Sequence, residues 1–458
     1  MRNIGVVLAA GTGARFRTTL PKQFMKVAGK MVIEHTVDIF EKNDRIDEIA
    51  IVVDKNHRHI VEQILLTNKW GKVKRILNGG QERNDSTKAA LRAVDDGSEQ
   101  NIILHDAVRP LLSDRIIDDI ISALDEYEAV DTCIKATDTI VISESDDEVI
   151  TAIPNRNTCY QGQTPQAFRV ATLIKAYSIA DKDPNFTASD DCGVVLKYLP
   201  DIKVKIVNGS VKNVKLTHIE DYYLLDKLFQ LNTQKLVVSG NYTEIRDKVI
   251  VVIGGSDGIG KAICELSENK GSKVYSFSRK TTGTDIRKIE TIEAALSSVA
   301  QKEGGIDCVV LTAGLLHIAP LCSASPAIID EMIDTNFRGA VYVSACAYPY
   351  LKERKGALLH FTSSSYTFGR PLYGLYSSSK AAIVNMVQSL SQEWEVDGIR
   401  VNCINPERTK TDMRIRNFGV EDESTLLDPN DVAKVALSVL LSKYSGQIFD
   451  IKASEELL

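Results

Sequence analysis

The sequence predicts an α/β protein of two doubly wound domains, and three observations carry that expectation. Apolar, β-branched runs alternate with amphipathic helical runs along the whole chain, the pattern of mainly parallel sheets covered by helices. The pattern starts twice, since Ile4–Ala9 and Val249–Ile253 are both buried-strand runs that enter a glycine loop. The length of 458 residues allows two to four domains at roughly 100–200 residues each, every one able to bury its own core. The halves share no obvious repeat. The join is expected near Gln230–Lys248, after a helix over Ile219–Leu231, giving domains at 1–235 and 245–458.

Composition narrows the function classes. With 55 Lys+Arg against 61 Asp+Glu, a net charge of −6, 44% hydrophobic and 25% charged residues, collagenous, low-complexity and disordered readings are excluded. A mildly acidic chain has no general attraction for nucleic acid or anionic lipid, so an anionic substrate must be held by basic residues placed locally. Eight scattered cysteines form no C-x-x-C pair and no Cys/His cluster at zinc spacing, which reads as free thiols in a reducing compartment. Residues 1–10 have the outline of a short signal peptide, but the run meets Gly11-Thr12-Gly13-Ala14-Arg15 and reads better as a first strand. No apolar stretch approaches the roughly 20 residues of a membrane span. The expected location is the cytoplasm, without membrane or nucleic-acid partners.

In the first half, the strand runs into Leu8-Ala9-Ala10-Gly11-Thr12-Gly13-Ala14-Arg15-Phe16 and then Pro21-Lys22-Gln23-Phe24. Small residues let backbone N–H groups close around a polyphosphate, with Arg15 and Lys22 as cationic ends. Further on stand Asn78-Gly79-Gly80-Gln81-Glu82-Arg83-Asn84-Asp85-Ser86, His105-Asp106-Ala107-Val108-Arg109-Pro110, Gln161-Gly162-Gln163-Thr164-Pro165-Gln166 and Asn213-Val214-Lys215-Leu216-Thr217.

Together these five motifs resemble the cytidylyltransferases that make CDP-methylerythritol and CDP-ribitol, over essentially residues 1–230. Val108, where methylerythritol enzymes usually carry Ala, and the stretches Asp138–Val141 and Ala152–Asn157 are closer to the ribitol 5-phosphate branch. The resemblance implies a nucleotidyltransferase Rossmann-like fold and attack of a substrate phosphate on the α-phosphorus of CTP. That nucleophile is already ionised, so catalysis is positioning plus charge neutralisation by Mg²⁺ and fixed cations. By the same resemblance Ala9, Ala10, Gly11 and Gly13 line the nucleotide, and Arg15, Lys22 and Lys215 meet the triphosphate. Gly80, Asp85 and Ser86 read cytosine and ribose. Asp106, Arg109, Thr139, Arg156 and Thr164 hold the sugar phosphate, with Asp106 also a candidate metal ligand and His105 a support for its loop.

In the second half, Gly254, Ser256, Gly258, Ile259 and Gly260 follow a buried strand and open a helix, the context of a dinucleotide fingerprint. The next strand ends in Ser278-Arg279-Lys280. No carboxylate stands there to accept from a ribose 2′-hydroxyl, and Arg279 suits a 2′-phosphate, so NADPH is the expected cofactor. Tyr376 and Lys380 lie four apart on one helix face, thirteen residues after Ser363; a nearby ammonium is expected to lower the phenol's pKa. With Asn336 and Val401-Asn402-Cys403-Ile404-Asn405-Pro406, the set resembles the short-chain dehydrogenase/reductases over about residues 247–452. That implies a second Rossmann fold, Tyr376 as proton donor, Ser363 polarising the carbonyl, Lys380 tuning Tyr376 and holding the nicotinamide ribose, Asn336 relaying protons through water, and Gly314 beside the cofactor.

Three departures stand out: Ile253 before the glycines, Leu311-Thr312-Ala313-Gly314 for the usual Asn-Asn-Ala-Gly, and Glu407 where Gly commonly follows the proline. Arg354, Arg370, Arg408, Lys410 and Arg414 are candidates to grip a substrate phosphate, Arg370 and Arg408 foremost. The fused arrangement resembles CDP-ribitol synthases of bacteria with ribitol-phosphate surface polymers. It implies reduction of D-ribulose 5-phosphate by the second half and cytidylylation of D-ribitol 5-phosphate by the first. Alternatives are reduction of a CDP-linked sugar, a methylerythritol acceptor with an unrelated reductase, or a C-terminal half that only senses NADPH or dimerises. Both families usually associate, the first through an arm near 135–165 and the second through long helices such as Tyr376–Glu395, so a homodimer or higher homo-oligomer is expected.

Overall fold

The computed structural model describes residues 1–11, 20–68, 70–80, 82–143, 149–187, 190–232 and 242–452. The chain divides into two compact units, Met1–Asp226 and Lys227–Leu458. Among the described residues no helix is long and apolar enough to cross a membrane, and all eight cysteines are free.

In the first unit β1 (Arg2–Ala9) is followed by a small hairpin of β2 (Lys26–Val27) and β3 (Lys30–Met31), then α1 (Val32–Lys42), β4 (Glu48–Val53), α2 (Arg58–Asn68), β5 (Val73–Asn78), α3 (Arg83–Val94), β6 (Gln100–Asp106) and α4 (Asp114–Ala123). The rest is β7 (Ala129–Lys135), β8 (Tyr160–Arg169), α5 (Val170–Ala180), α6 (Asp191–Tyr198), β9 (Val204–Asn208) and the first part of α7 (Ile219–Asn232), within which the division at Asp226 falls. The sheet order is β5-β4-β1-β6-β8-β7-β9. β1 runs parallel to both β4 and β6, whereas β8 is antiparallel to β6 and to β7. Strands such as Ile4–Ala9 and Ile49–Val53 are continuous apolar runs because helices cover both sheet faces. β1 lies between strands that wind in opposite directions, so the crevice at its C-terminal end, where Ala9 and Asp106 emerge, is the expected ligand position. From 136 to 159 the chain leaves the sheet; among the described residues a bridge between Ile142 and Ala152 and a short helical turn at Arg156–Thr158 organise it, and Val141, Ile142, Val149, Ile150 and Ile153 are exposed.

The second unit comprises β10 (Val249–Ile253), α8 (Gly258–Asn269), β11 (Lys273–Phe277), α9 (Ile289–Glu303), β12 (Cys308–Leu311), α10 (Pro326–Ile333), α11 (Gly339–Arg354), β13 (Ala357–Phe361), α12 (Gly374–Glu393), β14 (Arg400–Pro406), α13 (Asp412–Phe418), α14 (Pro429–Leu441) and β15 (Ile448–Ile451). Its six strands, ordered β11-β10-β12-β13-β14-β15, are all parallel. All five residues of β10 are buried, each Val or Ile contributing about 1.5–3 kcal/mol on burial. Helix starts follow local chemistry: Asp257 Oδ1 accepts from Gly258 N at 2.6 Å, Ser325 caps α10 with Pro326 after it, and Asp428 caps α14 with Pro429 after it. Between α10 and α11 the chain forms one π-helical turn, Asp334–Arg338. Such a turn inserts a residue into a helix and often marks a functional position; here it carries Asn336.

Candidate active sites

In the first unit the loops after β1, β5 and β6 meet. Gln23 Nε2 donates to Ala9 O (2.7 Å) and Gly11 O (3.0 Å), fixing the end of β1. Gly79 must be small because a Cβ there would lie 2.4 Å from Ala10 Cβ. Asp85 Oδ2 accepts from Glu82 N at 3.1 Å and closes the entry to α3, where Ser86 is buried. Lys22 Nζ donates to Leu216 O at 2.6 Å, so Lys22 arrives beside Lys215. Gly13 and Arg15 lie outside the described residues.

Asp106 is the hub of this site. Its Oδ2 lies 2.9 Å from Lys215 Nζ and 3.7 Å from Arg109 Nε, and its Oδ1 lies 4.0 Å from Arg83 Nε. Burial would raise its pKa, but Lys215, Arg83 and Arg109 outweigh that and hold it down at about 2. Thr164 Oγ1 accepts from Asp106 N (3.1 Å) and meets His105 Nδ1 (3.0 Å), and His105 Nε2 reaches Arg109 O (3.1 Å). Burial lowers His105 to about 4, so at neutral pH it is an uncharged spacer between two backbone segments. Arg109 Nη1 donates to Asn213 O at 2.7 Å. The arrangement is therefore a carboxylate that orients three cations around the end of β6.

As a candidate metal ligand, Asp106 stands as a single carboxylate among the described residues. Among the described residues no group of three His, Cys, Asp or Glu could hold an ion, and the Asp106 carboxylate already faces three cations. Mg²⁺ is commonly held by one or two carboxylates together with substrate phosphates, so Asp106 stays a candidate ligand beside the nucleotide's own oxygens. Thr139 and Arg156 sit exposed on the 136–159 excursion, with Arg156 Nη1 on Thr137 O at 3.1 Å. Among the described residues neither makes a hydrogen bond or ion pair with the Asp106 cluster. Sequence reasoning left Arg83 without a role and overlooked Asp191 and Tyr177. Arg83 is ion-paired to the fully buried Asp191, which accepts a 2.7 Å hydrogen bond from Tyr177 Oη. Burial disfavours the guanidinium's charge, yet Asp191 and Asp106 more than offset it and raise its pKa. The one available signal was the doubled acid Asp190-Asp191 before an apolar run, which reads as an ordinary helix cap.

In the second unit one cleft of about 440 Å³ is lined by Gly254, Ser256, Gly258, Ile259, Gly260, Arg279, Gly314, Ser363, Tyr376 and Lys380. Every cofactor and catalytic position expected in this half lines it except Asn336. Gly254 has φ +97° and Gly258 φ +50°, conformations that disfavour a side chain. A Cβ on Gly260 would stand 2.3 Å from Gly254 O and 2.4 Å from Thr312 Oγ1. The cradle is open only because all three are glycine, which fits a dinucleotide pyrophosphate at the N-terminus of α8. Thr312, standing where Asn is usual, donates to Ile253 O at 3.3 Å and so ties two of the departures together. Arg279 is half exposed, with Glu331 3.8 Å away.

Asn336 is buried behind this cleft. Its side chain donates to Leu315 O and accepts from Leu315 N, both at 2.7 Å. The carboxamide therefore holds the loop after β12. Lys380 Nζ donates to Phe361 O at 3.0 Å and lies 5.7 Å from the Tyr376 ring centre. The expected lowering of the phenol is not what this arrangement produces. Burial pushes Tyr376 up to about 12, with a Ser363 hydrogen bond pulling the other way. The lysine itself yields, as burial lowers it to about 8. Tyr376 thus stays protonated, as a donor must, and the ammonium is the group that titrates. For carbonyl reduction, kcat/KM is expected to fall as pH rises through about 8 and Lys380 loses its charge; Lys380→Arg should move that limb upward. A profile flat to pH 10 would contradict the assignment.

Two families match these two sites. The family of 2-C-methyl-D-erythritol 4-phosphate cytidylyltransferases matches residues 4–230, and the short chain dehydrogenases match residues 248–419. The protein is thus a nucleotidyltransferase joined to a short-chain dehydrogenase in one chain. A Thermobifida fusca 2-C-methyl-D-erythritol 4-phosphate cytidylyltransferase is 40% identical over 50% of this chain and 94% of its own. The crystal structure of 4-diphosphocytidyl-2C-methyl-D-erythritol synthase from Anaerococcus prevotii has 32% identity and a TM-score of 0.45, covering 50% of this chain and 96% of that one. A Haemophilus influenzae protein named bifunctional ribulose 5-phosphate reductase/CDP-ribitol pyrophosphorylase is 46% identical over 99% of this chain and 97% of its own. The chain belongs to the family of these bifunctional reductase/pyrophosphorylases.

Proposed function

We propose that the second unit reduces D-ribulose 5-phosphate with NADPH to D-ribitol 5-phosphate, and that the first couples this product to CTP, giving CDP-ribitol and pyrophosphate. The observation that carries the reading is that one chain, alike over its whole length to a bifunctional relative, holds both a cation cluster around Asp106 and a complete Ser363–Tyr376–Lys380 cleft. The second makes an alditol phosphate and the first requires one.

In the reductase cleft the nicotinamide supplies a hydride to the carbonyl carbon. Ser363 holds the carbonyl oxygen, Tyr376 gives it a proton, and Lys380 places positive charge beside the phenol as it becomes anionic. In the transferase site a phosphate oxygen of ribitol 5-phosphate bonds to the α-phosphorus while the bond to the bridging oxygen of pyrophosphate breaks. Lys22, Lys215 and Arg15 meet the charge on the triphosphate; Arg109 and Thr164 flank the incoming phosphate. Mg²⁺, held beside Asp106 by the oxygens of CTP, would supply charge neutralisation at the triphosphate. The exposed apolar side chains on 136–159 support association into a homo-oligomer through that arm, and the product would feed a ribitol-phosphate surface polymer from the cytoplasm.

The test is to supply ribulose 5-phosphate, NADPH, CTP and Mg²⁺ and follow NADPH loss with and without CTP, alongside pyrophosphate release. Reduction without CTP, then CTP-dependent release, is expected. Reduction that waits for a CDP-linked sugar would favour the rival order of steps. For the cofactor, Arg279→Ala is expected to raise the KM for NADPH by about tenfold or more, the scale of one lost charge-assisted hydrogen bond, with little change for NADH. Equal changes for both cofactors would remove Arg279 from the 2′-phosphate.

A further inference from the structure

We infer that Arg370 and Arg408 form the phosphate seat of the reductase cleft and restrict it to phosphorylated ketoses; this deepens, and rests on, the reading above. A sugar phosphate reduced at Tyr376 needs uncommitted cations beyond the carbonyl, on the side away from Arg279. Five basic residues were candidates, and their partners separate them. Arg354 donates to Gly304 O at 2.7 Å and does not line the cleft. Lys410 also lies off the lining and is paired with Glu423 at 2.5 Å. Arg414 lines the cleft, but its guanidinium is held bidentately by Glu421, at 2.6 and 2.8 Å, and lies 3.8 Å from the Phe418 ring centre. Its charge and its donors are both engaged.

Arg416 and Lys280 also line the cleft, Arg416 with its Nε donating to Asp412 O at 3.2 Å and Lys280 next to Arg279 in the chain. Of the five candidates, Arg370 and Arg408 remain on the lining, exposed, and among the described residues neither has a carboxylate within ion-pair distance. Arg370 Nη2 donates to Ser364 Oγ at 2.8 Å, which places it one residue from Ser363. Arg408 follows Pro406 by two residues at the end of β14, and its carbonyl is pinned by Leu427 N at 2.7 Å. Glu421, the carboxylate near enough to feel the charge of Arg408, has its ion pair with Arg414 instead. Phe418, under Arg414, stacks on Tyr373 at 6.4 Å, and Tyr373 meets Tyr376 edge-on at 6.3 Å. Arg370 is thus anchored on the segment that carries Ser363, while Arg408 is held on the loop after β14 that closes the same cleft, so the two offer fixed positive charge to a phosphate bound beside the carbonyl site.

The experiment compares D-ribulose 5-phosphate with unphosphorylated D-ribulose in the full-length chain. Arg408→Ala and Arg370→Ala are each expected to lower the ratio of kcat/KM for the phosphorylated over the unphosphorylated ketose by about 10- to 100-fold, mostly through KM, the range for losing a hydrogen bond to a charged group. Lys versions should restore part of it. Lys410→Ala, outside the cleft, should leave the ratio unchanged, and NADPH binding read by fluorescence reports that the cleft is folded. An unchanged ratio in both Ala variants, or an equal loss for both ketoses, overturns the seat while leaving the reductase reading intact. A wild-type chain that reduces neither ketose overturns both.

Discussion

Tyr376→Phe is expected to lower ribulose 5-phosphate reduction by about 10²- to 10⁴-fold, the contribution of one positioned proton donor, while CDP-ribitol still forms from supplied ribitol 5-phosphate. Removing the hydroxyl leaves the ring, and with it the contact to Tyr373, so the loss is chemical and not one of packing. The hydroxyl cannot be replaced by the lysine. Lys380 is a cation that donates to Phe361 O, and a proton taken from it would remove the charge that steadies the developing phenolate. The check is a steady-state NADPH assay beside a pyrophosphate-release assay on one preparation. A variant that retains more than a tenth of its reductase rate would remove Tyr376 from the donor role.

The second large effect is expected at Lys215. Lys215→Ala removes the ammonium nearest Asp106 and, in the proposed function, a cation for the triphosphate. Cytidylyl transfer should drop by at least about 10²-fold, as when one preorganised electrostatic contact is lost, and Lys22→Ala should do the same. The effect of Lys215→Ala on folding should be smaller, because Arg83 and Arg109 still face the carboxylate. Asp106 lies below its unfolded value, so its contribution to stability is complete above the ordinary carboxylate range and is lost as pH falls toward about 2. The depression corresponds to something on the order of 2 kcal/mol. Single-turnover rates with CTP and ribitol 5-phosphate test this assignment, and near-wild-type values for Lys215→Ala would discard it.

The sequence disclosed those parts of the molecule in which local chemistry is decisive. Ile4 and Val249 could be recognised as strand starts because a strand covered on both faces is apolar throughout. Gly254, Gly258 and Gly260 could be recognised because only glycine tolerates the backbone path into α8. What could not be read depends on pairs far apart in the chain. Arg83 and Asp191 are 108 residues apart, and nothing at either position says that α3 and α6 deliver them to one place. The antiparallel β8, inserted between β6 and β7, carries no pattern that distinguishes it from a parallel strand. Tyr376 and Lys380 illustrate a subtler limit. Their spacing correctly put both beside the cleft, but whether the phenol or the ammonium yields depends on burial, and burial at Tyr376 is set by the surrounding loops and not by the interval of four.

The most direct test of the two-reaction account is to follow one atom through both sites. Incubating the protein with ribulose 5-phosphate, CTP, Mg²⁺ and NADPH deuterated at the transferring position of the nicotinamide should yield CDP-ribitol carrying one deuterium, seen by mass spectrometry, with one pyrophosphate released for each. CDP-ribitol without deuterium, or deuterium entering only after a CDP-linked ketose is supplied, would contradict the account.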